Sequence, residues 1–284
     1  MTRRCVLKAR SLVFDLFGDH LRYRGGEVRL RALVTLMEPF DVPETTVRVV
    51  VTRLRKEGWL DSRREGRETV YALADPAWSL LDEGRQRIFQ RASGPWDGLW
   101  HMVIYSVPES ERALREQLRK KLAWLGFGPL SASVYLSPHD RSRQLDELVE
   151  EVGIVRIDRF QSRSQGAGSD RDIARRAWDL DALNRDYTRF LERYAPRLER
   201  YRAAEPAGQD ALVERMHLVN DYRHFPFRDP DLPPELLPTG WSGRRAHEVF
   251  LEAHGLLRRP AEAFVDAVLA GARPSRTDLV PGVS

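Results

Sequence analysis

Residues 43–58, PETTVRVVVTRLRKEG, constrain the fold most. Val47, Val50, Val51 and Leu54 recur at i, i+3, i+4 and i+7, a spacing that sets one apolar face on an α-helix and excludes a half-buried strand. The remaining faces carry Thr45, Thr46, Arg48, Thr52, Arg53, Arg55 and Lys56. Short hydroxyls and long cations are the side chains that reach base edges and phosphates. Asp41 and Glu44 have the spacing of a capping box, Pro43 suits a first helical turn, and Gly58 suits the C-terminal end.

The residues after this helix point the same way. Residues 60–64 and 67–73 flank Glu65-Gly66, and both read as short strands, with Val70 and Tyr71 as good strand formers. Arg63, Arg64 and Arg67 stand at the hairpin tip. A helix with a basic outer face and then a hairpin with a basic tip make the pattern of a winged helix-turn-helix. Its helix lies in the major groove and its wing beside the backbone. Residues 11–22 and 28–40 supply two helices beneath it, with Ser11 as a candidate cap, and residues 76–92 a further helix leading out.

Charge is uneven along the chain. The 284 residues carry a net charge of +4, but residues 1–95 alone hold 18 basic and 13 acidic side chains. The positive excess therefore sits in the N-terminal third, as expected of a DNA-binding module on a neutral body. Only Lys8, Lys56, Lys120 and Lys121 are lysines, and heavy arginine use fits a GC-rich genome as well as phosphate recognition. Cys5 is the single cysteine, so no intrachain disulfide can form and a reducing cytoplasm is the expected compartment. No apolar run approaches the ~18 residues of a membrane span, and the N-terminus lacks the features of a signal peptide.

The residues divide into three expected domains: 1–93, a winged helix-turn-helix; 94–165; and 166–284, mostly helical. Ser93-Gly94-Pro95 marks the first boundary. After it come a strand (99–107), a helix (109–126 with Leu114, Leu118, Leu122 and Leu125 inward), a strand over 128–136 with a short one ahead of it near Phe127, a helix (140–152) and a strand (153–161). The order β-α-β-β-α-β is that of a ferredoxin-like domain, suited to dimerisation through a sheet edge or face, and the whole chain reads as α+β. Residues 162–169 form a polar linker. Helices are expected over 170–202, with Pro196 as a kink or restart, and over 210–225, 244–257 and 261–270. Five prolines between Pro226 and Pro238 impose an irregular segment.

Taken together, the three blocks resemble the PaaX family of phenylacetic-acid catabolic repressors. The resemblance runs over nearly the whole chain. It is carried by VRVVVTRLRKEGWL (47–60), GRETVYAL (66–73), LWHMVIYSVPESERALREQLRKKLAWLGFGPLSASVYLSP (99–138), WDLDALNRDYTRFL (178–191) and DPDLPPELLPTGWSG (229–243). The last is the most specific, because a helix-turn-helix alone fits many families. The resemblance implies a dimeric winged-helix repressor on a palindromic operator, released by an effector that in the best-known members is phenylacetyl-coenzyme A. The family's middle domain resembles the small ferredoxin-like nuclease of CRISPR adaptation, which places an Asp near the end of its first strand. Here that stretch reads Ile104-Tyr105-Ser106-Val107, without a carboxylate.

No catalytic or metal-binding grouping emerges, and no cofactor is expected. Gly240-Trp241-Ser242-Gly243 is followed by Arg244 and is not a nucleophile elbow, and no phosphate-binding glycine loop is present. His247 and His254, like His217 and His224, are seven apart, about 10 Å along a helix axis and too far for one metal ion; they read as surface or capping residues. Asp170 and Asp172 read as helix caps. An acyl-coenzyme A thioester needs cations for its phosphates and an apolar recess for its acyl group, and Tyr222, Arg223, His224, Arg228 and Trp241 are the candidate effector residues. The expectation is a cytoplasmic repressor. Arg48, Thr52 and Arg53, with Thr45 and Thr46, would read bases, and Arg55 and Lys56 would clamp phosphates. Arg63, Arg64 and Arg67 would grip the backbone or minor groove. The competing readings are a metal-dependent nuclease built on the middle domain and a dimeric scaffold that binds protein.

Overall fold

The computed structural model describes residues 8–91, 95–153, 156–165, 169–204 and 206–271. Cys5, most of the Ser93-Gly94-Pro95 boundary and the expected strand residues Ile154 and Val155 lie outside them. The fold is α+β with two antiparallel sheets. It forms two compact units that do not follow the chain in order. The first holds residues up to Phe89, Phe190–Arg223 and the chain from Arg245; the second holds Gln90–Arg189 and His224–Arg244. The helical C-terminal segment expected at 166–284 is thus shared between both units.

In the first unit, α1 (Ala9–Asp19), α2 (Leu30–Met37) and α3 (Glu44–Lys56) pack together. Leu12, Val13, Leu16, Phe17, Leu33, Leu36, Val47, Val51 and Leu54 fill the space between them. Strands β2 (Leu60–Glu65) and β3 (Glu68–Leu73) form the hairpin and turn at Gly66-Arg67, one residue later than the expected Glu65-Gly66. A third strand, β1 (Glu27–Arg29), pairs with β3 and places Val28 opposite Tyr71. Val28 was expected inside the second helix; it serves the sheet instead. Helix α4 (Asp75–Phe89) comes next.

Two caps differ from expectation. Ser11 lies inside α1, whose N-cap is Lys8, and α3 begins at Pro43 with no side-chain cap. Asp41 cannot form the box with Glu44, because it adopts the left-handed conformation (φ 57°) and ends the preceding 3-10 turn. Gly58 has the expected helix-ending conformation, φ 77°. From the C-terminal part of the chain, this unit takes α9 (Gly208–Tyr222), most of α10 (Gly243–Leu269) and the end of α8 (Leu180–Ala203). α9 packs on α1. Helix α8 runs through Pro196, which stands exposed, and α10 runs through Pro260 where two helices were expected.

The second unit is built on a four-stranded sheet. Its strands are β4 (Trp100–Tyr105), β5 (Gly128–Pro129), β6 (Val134–Ser137) and β7 (Ile157–Ser162), in the order β5-β6-β4-β7. Helices α5 (Arg112–Trp124) and α6 (Ser142–Val152) connect them in the order β-α-β-β-α-β. Alternation along a strand sends neighbouring side chains to opposite faces. Val103, Tyr105 and Tyr135 pack with Leu118, Leu122, Leu145 and Leu148 of the two helices. On the other face, Trp100 and Leu136 meet α7 (Asp170–Ala177), Leu180 and the proline-rich segment through Leu232 and Leu236. Both faces of the sheet are therefore covered at β4 and β6, whereas β7 leaves Phe160 exposed. Ser169 caps α7 in a capping box with Asp172, as expected for Asp172, whereas Asp170 accepts the Trp100 indole N–H at 2.9 Å.

Candidate nucleic-acid interface

Helix α3 is fixed from below and open above. Val47, Val51 and Leu54 are fully buried, and Trp59, just past its end, packs edge-on against Phe14 of α1 at 5.9 Å. At 3.6 residues per turn, Thr45, Val49, Thr52, Arg53 and Lys56 fall within about 100° of arc opposite that buried stripe. All five are exposed. Thr46 stands on one flank and is half-buried, whereas Arg48 and Arg55 share the other flank with Glu44.

The cations on this surface differ in what already holds them. Arg48 donates to Glu44 Oε1 through Nε (2.8 Å) and Nη2 (2.6 Å), and Thr52 Oγ1 donates to the Arg48 carbonyl at 2.7 Å. Arg63 is held by Glu27 at 2.7 Å and by Glu65 at 2.8 Å. The hydrogen bond from Arg63 holds the Glu27 carboxyl below its usual range, with desolvation opposing it. Arg53, Arg55, Lys56, Arg64 and Arg67 have no carboxylate partner among the described residues. These five offer charge that no internal pair neutralises.

Val49 went unrecognised in the sequence because it falls outside the i, i+3, i+4, i+7 stripe. It is 50% exposed, one of five exposed large hydrophobics among the described residues, and it sits among the hydroxyls and cations of the outward face. That isolation inside a polar stripe was the available signal.

The five effector candidates are divided between the units. Tyr222 is buried in the first, its hydroxyl 2.9 Å from His247 Nδ1 and its ring stacked on Phe250 at 4.0 Å. Arg223 in the same unit lies 3.2 Å from Asp15. His224, Arg228 and Trp241 belong to the second. His224 is exposed, Arg228 reaches Asp186 at 2.7 Å, and Trp241 meets the Tyr187 ring edge-on at 5.6 Å. His217 and His254 are buried or nearly so, not surface residues, and His254 bonds Asp19 at 2.8 Å. Among the described residues no group of three His, Cys, Asp or Glu could hold a metal ion, and no helix is long and apolar enough to cross a membrane.

This α+β architecture, with an open basic helix face on one unit and a doubly covered sheet in the other, matches known proteins along nearly its full length. Three family models match in succession: "PaaX-like protein" over residues 8–77, "PaaX protein central Cas2-like domain" over 93–174 and "PaaX-like protein C-terminal domain" over 178–267. The transcriptional repressor PaaX of Escherichia coli K12 is 31% identical over 261 residues, covering 90% of this chain and 82% of that protein. An uncharacterised 16.5 kDa protein of Latilactobacillus sakei is 30% identical over 70 residues, 24% of this chain and 48% of that one. The solved structure of uncharacterised protein Rv0674 from Mycobacterium tuberculosis shares the fold, with a TM-score of 0.63 and 23% identity over 92% of this chain and 98% of that one. The chain belongs to the PaaX family.

Proposed function

We propose that this protein is a DNA-binding transcriptional repressor of the PaaX type, not an enzyme, and that α3 is its recognition helix. The observation that carries this reading is the outward stripe of α3: hydroxyls, an apolar methyl pair on Val49, and the unpaired cations Arg53 and Lys56, on a helix whose opposite face is locked into a core. In this reading α1 to α3 with the β1-β3-β2 sheet form a winged helix-turn-helix. Arg53 reads a guanine edge, Val49 touches a thymine methyl, and Thr45 and Thr52 contact base edges or phosphates. Arg55 and Lys56 hold phosphates, and Arg64 and Arg67 grip backbone beside the wing. Arg48 and Arg63 contribute less, since each must first leave a carboxylate.

The second unit, with strand order β5-β6-β4-β7, serves as a ferredoxin-like dimerisation module. A dimer sets two α3 helices in successive major grooves of a palindromic operator, about 34 Å apart. An aromatic acyl-coenzyme A releases the operator by binding one arrangement of the dimer better than the other. The protein acts in the cytoplasm.

The test is a titration of the DNA upstream of its own gene, with and without phenylacetyl-coenzyme A, set against random DNA of equal length. Tight binding to the upstream fragment, lost on adding the thioester, is the expected result. Binding no tighter than to random DNA would leave the family likeness as fold alone.

A further inference from the structure

The second unit contains a preformed cavity of about 330 Å³, at the lower end of the range for small-molecule sites. Its walls are mainly aromatic and aliphatic: Trp124, Phe127, Trp178, Leu183 and Phe227, with prolines of the irregular segment. Trp124 and Phe227 stack at 4.7 Å with 18° between their planes. Trp178 packs directly over Gly128, where an added Cβ would lie 2.5 Å from its ring. The charged groups in these walls are already engaged. Asp179 accepts the Ala182 N–H at 2.9 Å, Asp229 accepts from the Tyr187 hydroxyl at 2.6 Å, and Arg228 is paired with Asp186. What this cavity offers a ligand is apolar contact.

A second cavity, about 280 Å³, adjoins it and shares Trp178, Asp179 and Leu180 as a common wall. Arg175 and Arg176 line it. Both are exposed, and neither has an ion-pair partner among the described residues. Of the carboxylates here, Asp179 accepts its helix-capping bond, Asp172 accepts from the Ser169 N–H and hydroxyl while Arg175 and Arg176 help to hold its carboxyl low, and Asp181 is exposed. Two exposed guanidiniums outside any ion pair, beside an apolar recess, complement a molecule that is apolar at one end and anionic at the other.

We propose that these adjoining cavities form the binding site for a small amphiphile, with an aromatic ring or acyl group against Trp124, Trp178 and Phe227 and an anionic group on Arg175 and Arg176. The anion is a carboxylate or a phosphate. The proposal rests on the reading of the chain as a ligand-released repressor, and it assigns the ligand to α5, α7 and the start of α8 instead of to Tyr222 and Arg223.

The test is calorimetric titration of the full chain with phenylacetate, coenzyme A and phenylacetyl-coenzyme A, backed by tryptophan fluorescence. Three proteins are compared: wild type, Ala182→Phe, which fills the apolar cavity from a half-buried position, and Arg175→Glu with Arg176→Glu, both exposed. Wild type should bind phenylacetate or phenylacetyl-coenzyme A, and coenzyme A alone at least tenfold more weakly. Saturation by phenylacetate assigns the anion as carboxylate; binding of the thioester alone assigns it as phosphate. Each variant should lose at least tenfold in affinity while keeping its melting temperature and its DNA binding. Unchanged affinity in both variants, or no binding of any probe to wild type, overturns the site. Ligand binding that depends on these residues in a chain that ignores operator DNA would sink the repressor reading and leave the site standing.

Discussion

Asp19 and Arg215, 196 residues apart in the chain, form a buried bidentate ion pair: Arg215 Nε donates to Oδ2 at 2.6 Å and Nη2 to Oδ1 at 3.0 Å. His254 Nε2 reaches Asp19 Oδ1 at 2.8 Å, and Arg215 Nη1 donates to the His254 carbonyl at 2.7 Å. One carboxylate thus fastens α1, which packs against α3, to both α9 and α10. Burial raises the Asp19 pKa, but His254 and Arg215 outweigh it and hold the carboxyl well below its ordinary value. Removing one partner of a buried pair strands the other charge. Arg215→Met should therefore cost about 3–5 kcal/mol of stability, read as a lower urea midpoint for the first unit. A loss below about 1 kcal/mol would mean that water already reaches Asp19.

The neighbouring Asp15 and His20 titrate in opposite senses. Burial pushes the Asp15 carboxyl up to about 7, with Arg223 opposing and Asp19 adding to the rise. Burial pushes His20 down to about 4. The folded chain binds more protons than the unfolded one at Asp15 between about pH 4 and 7, so this group makes stability fall as pH rises through that window. At His20 the folded chain binds fewer protons between about pH 4 and 6.5, so stability rises with pH there. The two slopes oppose each other in the wild type. Asp15→Asn leaves the His20 slope alone, and its melting temperature should climb from pH 4.5 to 6.5 more steeply than that of the wild type. Parallel curves for the two proteins would contradict this assignment.

Val49 should contribute through thymine. Val49→Ala removes two methyl groups from a contact with a base methyl and should weaken operator binding by about 1 kcal/mol. Replacing the contacted thymine by uracil should cost the wild type a similar amount and the variant almost nothing. Equal sensitivity of both proteins to uracil would place Val49 away from the bases.

The arginines of the interface should separate by their internal partners. Arg53→Ala should cost about 1–3 kcal/mol on the operator and little on random DNA if it reads guanine bidentately. Lys56→Ala should weaken both DNAs alike and lower the salt slope by about one. Arg63→Ala should cost less than Arg64→Ala, because Glu27 and Glu65 already hold Arg63. Competition binding at two salt concentrations ranks all four, and the reverse order for the wing pair would show that those carboxylates release Arg63 freely.

Local patterns were legible in the sequence, and long-range partnerships were not. Val47, Val51 and Leu54 announced α3, and Glu65-Gly66 announced the hairpin, because each depends on neighbours within a few residues. Strand β1 was not legible: it is three residues long, and its partner, Val70–Ala72, lies some forty residues on. The histidines read as surface groups because nothing near His254 in sequence reveals that Asp19 will meet it. Tyr222 has the composition of a pocket residue, yet Phe250 and His247 enclose it in the core. Pro196 suggested a kink or restart, and separate helices were expected over 244–257 and 261–270, but packing along α8 and α10 overrode the local cost of Pro196 and Pro260. On α3 the polar residues were legible, and which of them face outward unpaired required the Arg48–Glu44 contact to be seen.

Whether the outward stripe of α3 recognises operator DNA is decided by one paired titration. Wild type and the double variant Arg53→Ala with Lys56→Ala are each titrated with the DNA upstream of the gene and with random DNA at physiological salt. Wild type should prefer the upstream DNA by about 10³-fold or more, and the variant should lose most of this preference with its melting temperature unchanged. A variant that keeps the full preference would contradict the assignment of α3 as the reading element.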